Sequence, residues 1–515
     1  MRTENVIRNA LFGVGGQVLH VVCNFALRTV FISMLGIEFL GINALFANIL
    51  SVLSLAELGI GLSINFALYE PLAKRDESKI ASLMELYRKS YFYIGIAVLT
   101  IGLLLLPFLP WLVKGDVKAV DLKIVYILFL LQSVSSYWFG TYISSILIAD
   151  QKEFLYTIFR NAAYVCGVIL RIGFLYLLRS MPARSFYVYS AIGIVVEIGF
   201  GLSMLFFVYR RYGFLRTTKA MPLAREEKKN IFKNVIGLSI SKVSFITVSS
   251  VGSIIIAGVI GVVELGLYSN YQLILSGVNT LLTALFSSLT ASIGNLCCTG
   301  DGAKKKSVFD EIELLYIWVY GWSAVMLWVL YNPFIGDIWL TKSCLLAPKD
   351  VFAIVVFFLC TNSYGGVMRY RDAAGLFWQI RYRCIASVIV NIGLSLLFVL
   401  VFRWGIAGTL YASTISICCV SCWYDSKIVF HNVFGTSCRA YLLKHIFSIA
   451  VIFLVGGIST LLIGLLPLPS NGWLRFLALA AIGMVVPNAC FYLFWGRTTA
   501  FGNLKKRISL FLAAA

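Results

Sequence analysis

The sequence predicts an all-α, polytopic membrane protein with 14 transmembrane helices, arranged as two six-helix lobes and two further C-terminal helices. Of its 515 residues, 60% are hydrophobic, and the mean hydropathy is +0.89. A helix that crosses a bilayer needs roughly 20 apolar residues in succession. Runs of that length recur from Ala10 to Trp495, which excludes a soluble globular protein.

The predicted spans follow one another with short connections. They comprise residues 10–34, 39–67, 91–113, 122–149, 156–178, 185–209, 234–260, 265–296, 312–340, 348–368, 384–402, 405–429, 442–466 and 473–496. The first run continues into more apolar sequence without a small-residue cleavage site. We therefore expect a retained span rather than a signal peptide.

The basic charge of the chain is distributed unevenly along it. The net charge is +20, from 43 basic and 23 acidic residues. With a cytoplasmic amino terminus, most Lys and Arg residues fall in the inner loops and at both ends, as the positive-inside bias requires. The charge thus predicts a multi-pass protein with both termini cytoplasmic, and it requires no nucleic-acid partner.

The two halves of the chain are weakly similar to each other. Arg8-Asn9 corresponds to Lys233-Asn234, and Leu35-Gly36 corresponds to Ile260-Gly261. Six helices per half place both halves in the same orientation, as in parallel repeats whose substrate site lies between them. The predicted domains are the N-lobe at 1–213, a basic cytoplasmic linker at 214–233, the C-lobe at 234–432, and helices 13 and 14 with a cytoplasmic tail at 433–515.

Polar side chains recur at three- and four-residue spacing in the first two spans of each half, so they share helix faces. Small and hydroxyl residues on such faces also suit ordinary helix packing. Charged and amide side chains favour a hydrated cavity instead, because lipid cannot satisfy them. The residues that we expect to line this cavity are Arg28, Lys242, Gln17, Asn24, Gln272 and Asn279.

The charges in the spans restrict the cargo. Arg28 would offer paired donors and Lys242 a point charge, which suits a pyrophosphate headgroup and disfavours a hydrophobic cation. Glu57 is a candidate protonatable coupling group, with a structural partnership to a basic side chain as the alternative. Arg171 and Glu197 are expected to form a structural ion pair.

Signatures of catalysis are missing from the sequence. It contains no HExxH, Walker or GxSxG motif, so we expect a transporter rather than an enzyme. Cys419 and Cys422 have CxxC spacing, but they lie within an apolar run without a neighbouring His, so no metal site is predicted. No cofactor is expected, and energy would come from a coupling ion, H⁺ or Na⁺, or from consumption of the cargo on the far side.

One stretch resembles a known family. The run LGIEFLGINALFANILSVLSLAELGIG at 35–61, followed by LYEPLAKRDESKI and LYRKSYFYIG, is similar to the Wzx-type oligosaccharide flippases of the MOP exporter superfamily. The resemblance implies two six-helix lobes in a V around a cationic cavity, in a bacterial cytoplasmic membrane. It also implies export of undecaprenyl-pyrophosphate-linked repeat units from the inner to the outer leaflet, for capsule, exopolysaccharide or O-antigen.

Other functions remain open at this point. A lipid II flippase or a multidrug–cation antiporter would share the fold, and a membrane polysaccharide polymerase or acyltransferase would belong to another class. That class usually carries a large outer catalytic loop, whereas the predicted outer loops here are short. The expected partners are the lipid-linked oligosaccharide, membrane lipids and the polymerase machinery, and we expect a monomer.

Overall fold

The computed structural model describes residues 2–57, 60–114, 120–218, 221, 246–287, 289–299, 302–376 and 379–514. Within these ranges all regular structure is helical, and no strand occurs. The predicted all-α class is therefore confirmed.

The chain divides into two compact units, Met1–Ser269 and Asn270–Ala515. The predicted domain boundaries at residues 213, 233 and 432 remain predictions. Most of the predicted linker at 214–233 lies outside the described residues.

Residues up to 260 form eleven helices in the described ranges. These are α1 Arg2–Leu35, α2 Ile37–Leu53, α3 Ile60–Lys74, α4 Glu77–Leu105, α5 Leu109–Leu112, α6 Leu122–Ser135, α7 Thr141–Ala149, α8 Glu153–Leu177, α9 Pro182–Arg211, α10 Phe214–Thr217 and α11 Ile246–Ile260. A 3₁₀ turn, Ser54–Glu57, follows α2, and a π-helical turn, Ser136–Gly140, joins α6 to α7.

The remaining described residues form eleven more helices. These are α12 Val262–Ser287, α13 Leu289–Thr299, α14 Gly302–Pro333, α15 Pro348–Asn362, α16 Gly365–Ala373, α17 Arg381–Leu396, α18 Ile406–Ser416, α19 Trp423–Val429, α20 Arg439–Leu465, α21 Gly472–Trp495 and α22 Thr499–Ala514. Additional π-helical turns extend α14, α17, α18 and α19.

Eleven helical segments of the described chain are long and apolar enough to cross a membrane. Two shorter apolar helices, Ile37–Leu53 and Ile246–Ile260, accompany them. The structure is thus that of a polytopic membrane protein, compatible with the predicted 14 spans. The second predicted span, 39–67, is not one continuous helix, because α2 ends at Leu53 and the 3₁₀ turn with Glu57 follows.

The turn between α1 and α2 depends on Gly36. Its backbone has φ of 90° and ψ of 179°, a region that is open almost only to glycine. The Gly36 amide still donates to the Ile32 carbonyl at 2.9 Å, so α1 ends in a closed turn and α2 begins at once. Phe186 of α9 then packs against Phe31 and Phe39, which fixes α1 and α2 on α9.

Two glycines make a reciprocal close contact within the first unit. A Cβ at Gly41 of α2 would lie 1.8 Å from the Val262 carbonyl oxygen, and one at Gly266 of α12 would lie 2.4 Å from the Ile37 carbonyl oxygen. In the sequence repeat, Gly41 corresponds to Gly266 and Ile37 corresponds to Val262. The first turns of the two equivalent helices therefore pack backbone against backbone.

This contact predicts that Gly41→Ala and Gly266→Ala each destabilise the protein. The added methyl group meets backbone, which cannot move aside as a side chain can, so we expect a cost of about 1–3 kcal/mol. Thermal unfolding in detergent measures the effect. Gly13→Ala is the matched control, since a Cβ there meets nothing within 4 Å and should be neutral or stabilising. Equal melting temperatures for all three variants would contradict the packing.

Candidate functional site

Part of the polar face of α1, which carries His20 and Asn24, packs against α8. The Nε2 of His20 lies 3.0 Å from Asn161 Oδ1, and the Tyr164 hydroxyl donates to Asn24 Oδ1 at 2.7 Å. The rings of His20 and Tyr164 stack at 4.0 Å between centroids. Gly16 makes room for this contact, because a Cβ there would lie 2.6 Å from Asn161 Nδ2. Asn24, predicted to line a cavity, thus holds α1 to α8.

The other predicted cavity residues have different surroundings. Gln17 is exposed on α1, whereas Arg28 is half-buried and its Nη1 donates to Ser269 Oγ at 2.8 Å. In the second unit, Gln272 and Asn279 are half-buried on α12, and Asn279 Oδ1 is buried without a hydrogen-bond partner in the described chain. Lys242 lies outside the described residues.

The predicted pair between Arg171 and Glu197 is wrong. Glu197 of α9 binds Arg160 of α8, whose Nη1 donates to both carboxylate oxygens at 3.0 and 3.2 Å. Helices α8 and α9 form an antiparallel hairpin, so residues at equal distance from its turn face each other. That geometry brings Arg160 opposite Glu197, and it brings Arg171 opposite Tyr189.

Arg171 instead lies against an aromatic ring. Its guanidinium carbon is 4.7 Å from the centroid of the Tyr189 ring, a cation–π contact. Gly193 leaves space for it, because a Cβ there would lie 2.6 Å from Arg171 Nη2 and 2.2 Å from Gln132 Oε1. Arg28 also interacts electrostatically with Tyr189. Both guanidinium groups therefore interact with the Tyr189 phenol.

Glu57 is bound by a phenol. It is the last residue of the 3₁₀ turn after α2, and its Oε1 accepts a short hydrogen bond from the Tyr91 hydroxyl. Tyr91 in turn accepts from the Tyr87 hydroxyl at 3.2 Å, and both tyrosines are buried on α4. In the part of the chain that the structure describes, Glu57 forms no ion pair. The partnership with a basic side chain, left open by the sequence, is therefore not found there.

The second unit contains buried charges that the sequence interpretation missed. Asp425 of α19 is 0% exposed and lies 2.6 Å from Arg371 and 3.1 Å from Arg383. Arg371 also binds its neighbour Asp372 at 2.7 Å. The predicted spans had assigned both arginines to an inner loop, whereas α16 and the start of α17 carry them. An aspartate within the apolar run 405–429 was the available signal.

A second missed cluster surrounds Glu313 of α14. The Tyr441 hydroxyl donates to its Oε1 at 2.6 Å, and His445 Nδ1 lies 3.2 Å from the same oxygen. The other ring nitrogen of His445 is 3.2 Å from Ser363 Oγ. A cavity of about 40 Å³ adjoins the cluster, enough for a few water molecules. His445 falls within the predicted span 442–466, and it is buried on α20.

The fold is similar to that of solved membrane transporters. A lipid II flippase, MurJ, in an inward closed conformation matches with a TM-score of 0.62 and 16% identity, over 94% of this chain and 98% of that one. An inward-facing MATE multidrug resistance transporter of the MOP superfamily gives 0.57 and 16%, over 85% and 95%. Its outward-facing counterpart gives 0.55 and 14%, over 88% and 96%. At these identities the likeness establishes the fold.

No protein-family model matches the chain, and no curated protein matches it in sequence.

The ion pair of α8 and α9 predicts a coupling energy that Arg171 does not share. Arg160→Ala should destabilise the protein by about 1.5–3 kcal/mol, because it leaves a largely buried carboxylate without its charged donor. In a double-mutant cycle, Arg160→Ala and Glu197→Ala should be strongly non-additive, whereas Arg171→Ala and Glu197→Ala should add. Arg179→Ala, at an exposed position, is the control. Additivity in the first cycle would contradict the pair.

Proposed function

We propose that this protein is a lipid-linked oligosaccharide flippase. It would move undecaprenyl-pyrophosphate-linked repeat units from the inner to the outer leaflet of a bacterial cytoplasmic membrane by alternating access, for capsule, exopolysaccharide or O-antigen synthesis. The fold supports a transporter, since it is similar to that of a lipid II flippase and of MATE transporters. The family resemblance of residues 35–95 supports this cargo.

The observation that carries the proposal is the pair of guanidinium groups around Tyr189. Arg28 donates to the Ser269 hydroxyl and interacts electrostatically with Tyr189, and the Arg171 guanidinium lies over the Tyr189 ring. Cations inside membrane helices are costly and generally mark substrate pathways. Guanidinium groups bind phosphate through paired hydrogen bonds, so the cluster suits a pyrophosphate headgroup.

The remaining predicted cavity residues extend this proposal. Lys242 would add a third positive charge, and Gln17, Gln272 and Asn279 would hydrogen-bond phosphate or sugar groups. The polysaccharide polymerase machinery would receive the cargo, and the transporter would act as a monomer.

A lipid II flippase is the second candidate, because the MurJ likeness extends over nearly the whole chain. It would use the same cationic cluster for a lipid-borne pyrophosphate. A multidrug–cation antiporter is less favoured, since Arg28 and Arg171 would repel a cationic cargo. Flipping assays in liposomes with an undecaprenyl-pyrophosphate oligosaccharide, with lipid II and with a cationic dye distinguish the three.

The cationic cluster predicts that Arg28→Ala and Lys242→Ala each lower surface polysaccharide. Each lost charge-assisted contact should reduce cargo binding by tenfold or more, on the basis of about 1.5–3 kcal/mol per contact. Polymer output is measured at equal membrane levels of each variant. Arg179→Ala, an exposed arginine, is the matched control and should leave output unchanged. Normal output from both test variants would overturn the cationic site.

We further propose that Glu57 couples transport to a proton gradient. A carboxylate with a phenol as its partner can gain and lose a proton without breaking an ion pair. Na⁺ is the alternative coupling ion.

This coupling predicts that Glu57→Gln weakens the dependence of flipping on the gradient while leaving cargo binding intact. Glutamine keeps the hydrogen-bonding shape but carries no exchangeable carboxyl proton. Flipping in proteoliposomes is measured under an imposed pH gradient and, separately, under a Na⁺ gradient. Glu70→Gln is the control, because that carboxylate is exposed and bound to Lys74. An unchanged response to both gradients would remove Glu57 from the mechanism.

A further inference from the structure

We propose that Tyr91 and Tyr87 form a proton relay to Glu57. The inference rests on the proposed proton coupling at Glu57 and adds the path by which the proton reaches it. The path runs from the Ser145 hydroxyl on α7, through the two phenols on α4, to the carboxylate.

The two hydrogen bonds between the phenols and Glu57 point the same way. Tyr87 donates to Tyr91 at 3.2 Å, and Tyr91 donates to Glu57 Oε1. Tyr87 also interacts with the Ser145 hydroxyl. Each phenol thus directs its proton towards the carboxylate, and Ser145 lies at the far end of the path.

The position of the two tyrosines supports a role in proton transfer. Tyr87 and Tyr91 are one helical turn apart on α4, and they are only 2% and 0% exposed. Their rings meet edge to face at 4.6 Å. Gly61 permits the arrangement, because a Cβ there would lie 2.9 Å from the Tyr87 hydroxyl oxygen. The hydroxyl groups therefore connect Glu57 to α7 through the protein interior.

The groups that face Glu57 are phenols. Besides Tyr87 and Tyr91, they are Tyr137 from the π-helical turn and Tyr156 from α8, which interact with it electrostatically. Among the described residues, Glu57 contacts neither a basic side chain nor a second carboxylate. A proton on Glu57 thus changes the local charge by one unit with no neighbouring carboxylate to share it.

In this transfer, each O–H bond that breaks is matched by an O–H bond that forms. The Tyr91 O–H bond breaks as Glu57 Oε1 gains the proton, and the Tyr91 oxygen takes the Tyr87 proton in the same movement. Tyr87 takes the proton of Ser145, whose hydroxyl is reprotonated by a proton that enters from the aqueous phase. One proton enters, one carboxyl group forms, and no tyrosinate remains. Rotation of the hydroxyl groups restores the starting order.

The experiment uses the full-length protein in liposomes, with two rates measured for each variant. The first rate is flipping of an undecaprenyl-pyrophosphate oligosaccharide under an imposed pH gradient. The second is exchange of the same cargo between leaflets without a gradient, which does not need net proton delivery. Tyr91→Phe and Tyr87→Phe should each slow the first rate at least tenfold and leave the second unchanged. Tyr126→Phe is the matched control, because that phenol is buried on α6 and donates to the Gly102 carbonyl, outside the relay.

The outcomes separate the relay from its premise. If Glu57→Gln abolishes the gradient response but both phenylalanine variants retain it, the relay is wrong and the coupling role stands. If Glu57→Gln keeps the response, the coupling role itself fails. An equal fall of both rates in the phenylalanine variants would assign the tyrosines a structural role and overturn the relay. Should those variants not fold, Gly61→Ala displaces the Tyr87 hydroxyl instead and should slow only the gradient-driven rate.

Discussion

The hydrocarbon core of a bilayer offers no hydrogen-bond partner, so every polar group in a span must find one within the protein. Several polar groups in the described spans meet this requirement through a neighbouring helix or turn. His20 and Asn24 bind Asn161 and Tyr164 across α1 and α8, and Glu57 binds Tyr91. In the second unit the same requirement joins Asp425 to two arginines. These bonds decide which helices lie together, because apolar surfaces alone do not distinguish one neighbour from another in lipid.

The sequence was sufficient for the class of fold and for the choice of polar positions worth inspecting. Hydropathy located the helices, since 20 apolar residues have one structural solution in a membrane. It could not locate the 3₁₀ turn at Ser54–Glu57, because a window of about 20 residues averages over a change of helix type that spans only four residues. Hydropathy also could not predict which charged residues pair. Glu197 pairs with Arg160 rather than Arg171, and an alignment of heights along two predicted spans lacks the precision to tell them apart.

Residues between spans were the hardest to interpret. Arg371 and Arg383 counted as loop charges that orient the chain, yet they neutralise a carboxylate that is completely buried. A buried pair of this kind is costly to break, although it adds little net stability. Charge statistics treat every loop arginine alike, so they cannot separate an arginine that contacts headgroups from one that folds back into the protein.

The first unit combines two chemistries that a flippase would need. Arg28 and Arg171 supply positive charge around Tyr189, while Glu57 lies in a pocket of phenols. In the described ranges Glu57 forms no ion pair. Glu197, the carboxylate predicted to pair with Arg171, is bound by Arg160, farther from the turn of the hairpin.

The reciprocal packing of Gly41 and Gly266 bears on the origin of the chain. Gly41 approaches Val262, and Gly266 approaches Ile37. Because Ile37 and Val262 are equivalent positions in the two repeats, the two contacts are equivalent as well. Such self-complementary contacts are typical of identical subunits related by a two-fold axis. The contact therefore fits an ancestor in which two copies of a single half-length polypeptide associated through one surface. Neither glycine can acquire a side chain while the opposing backbone stays in place.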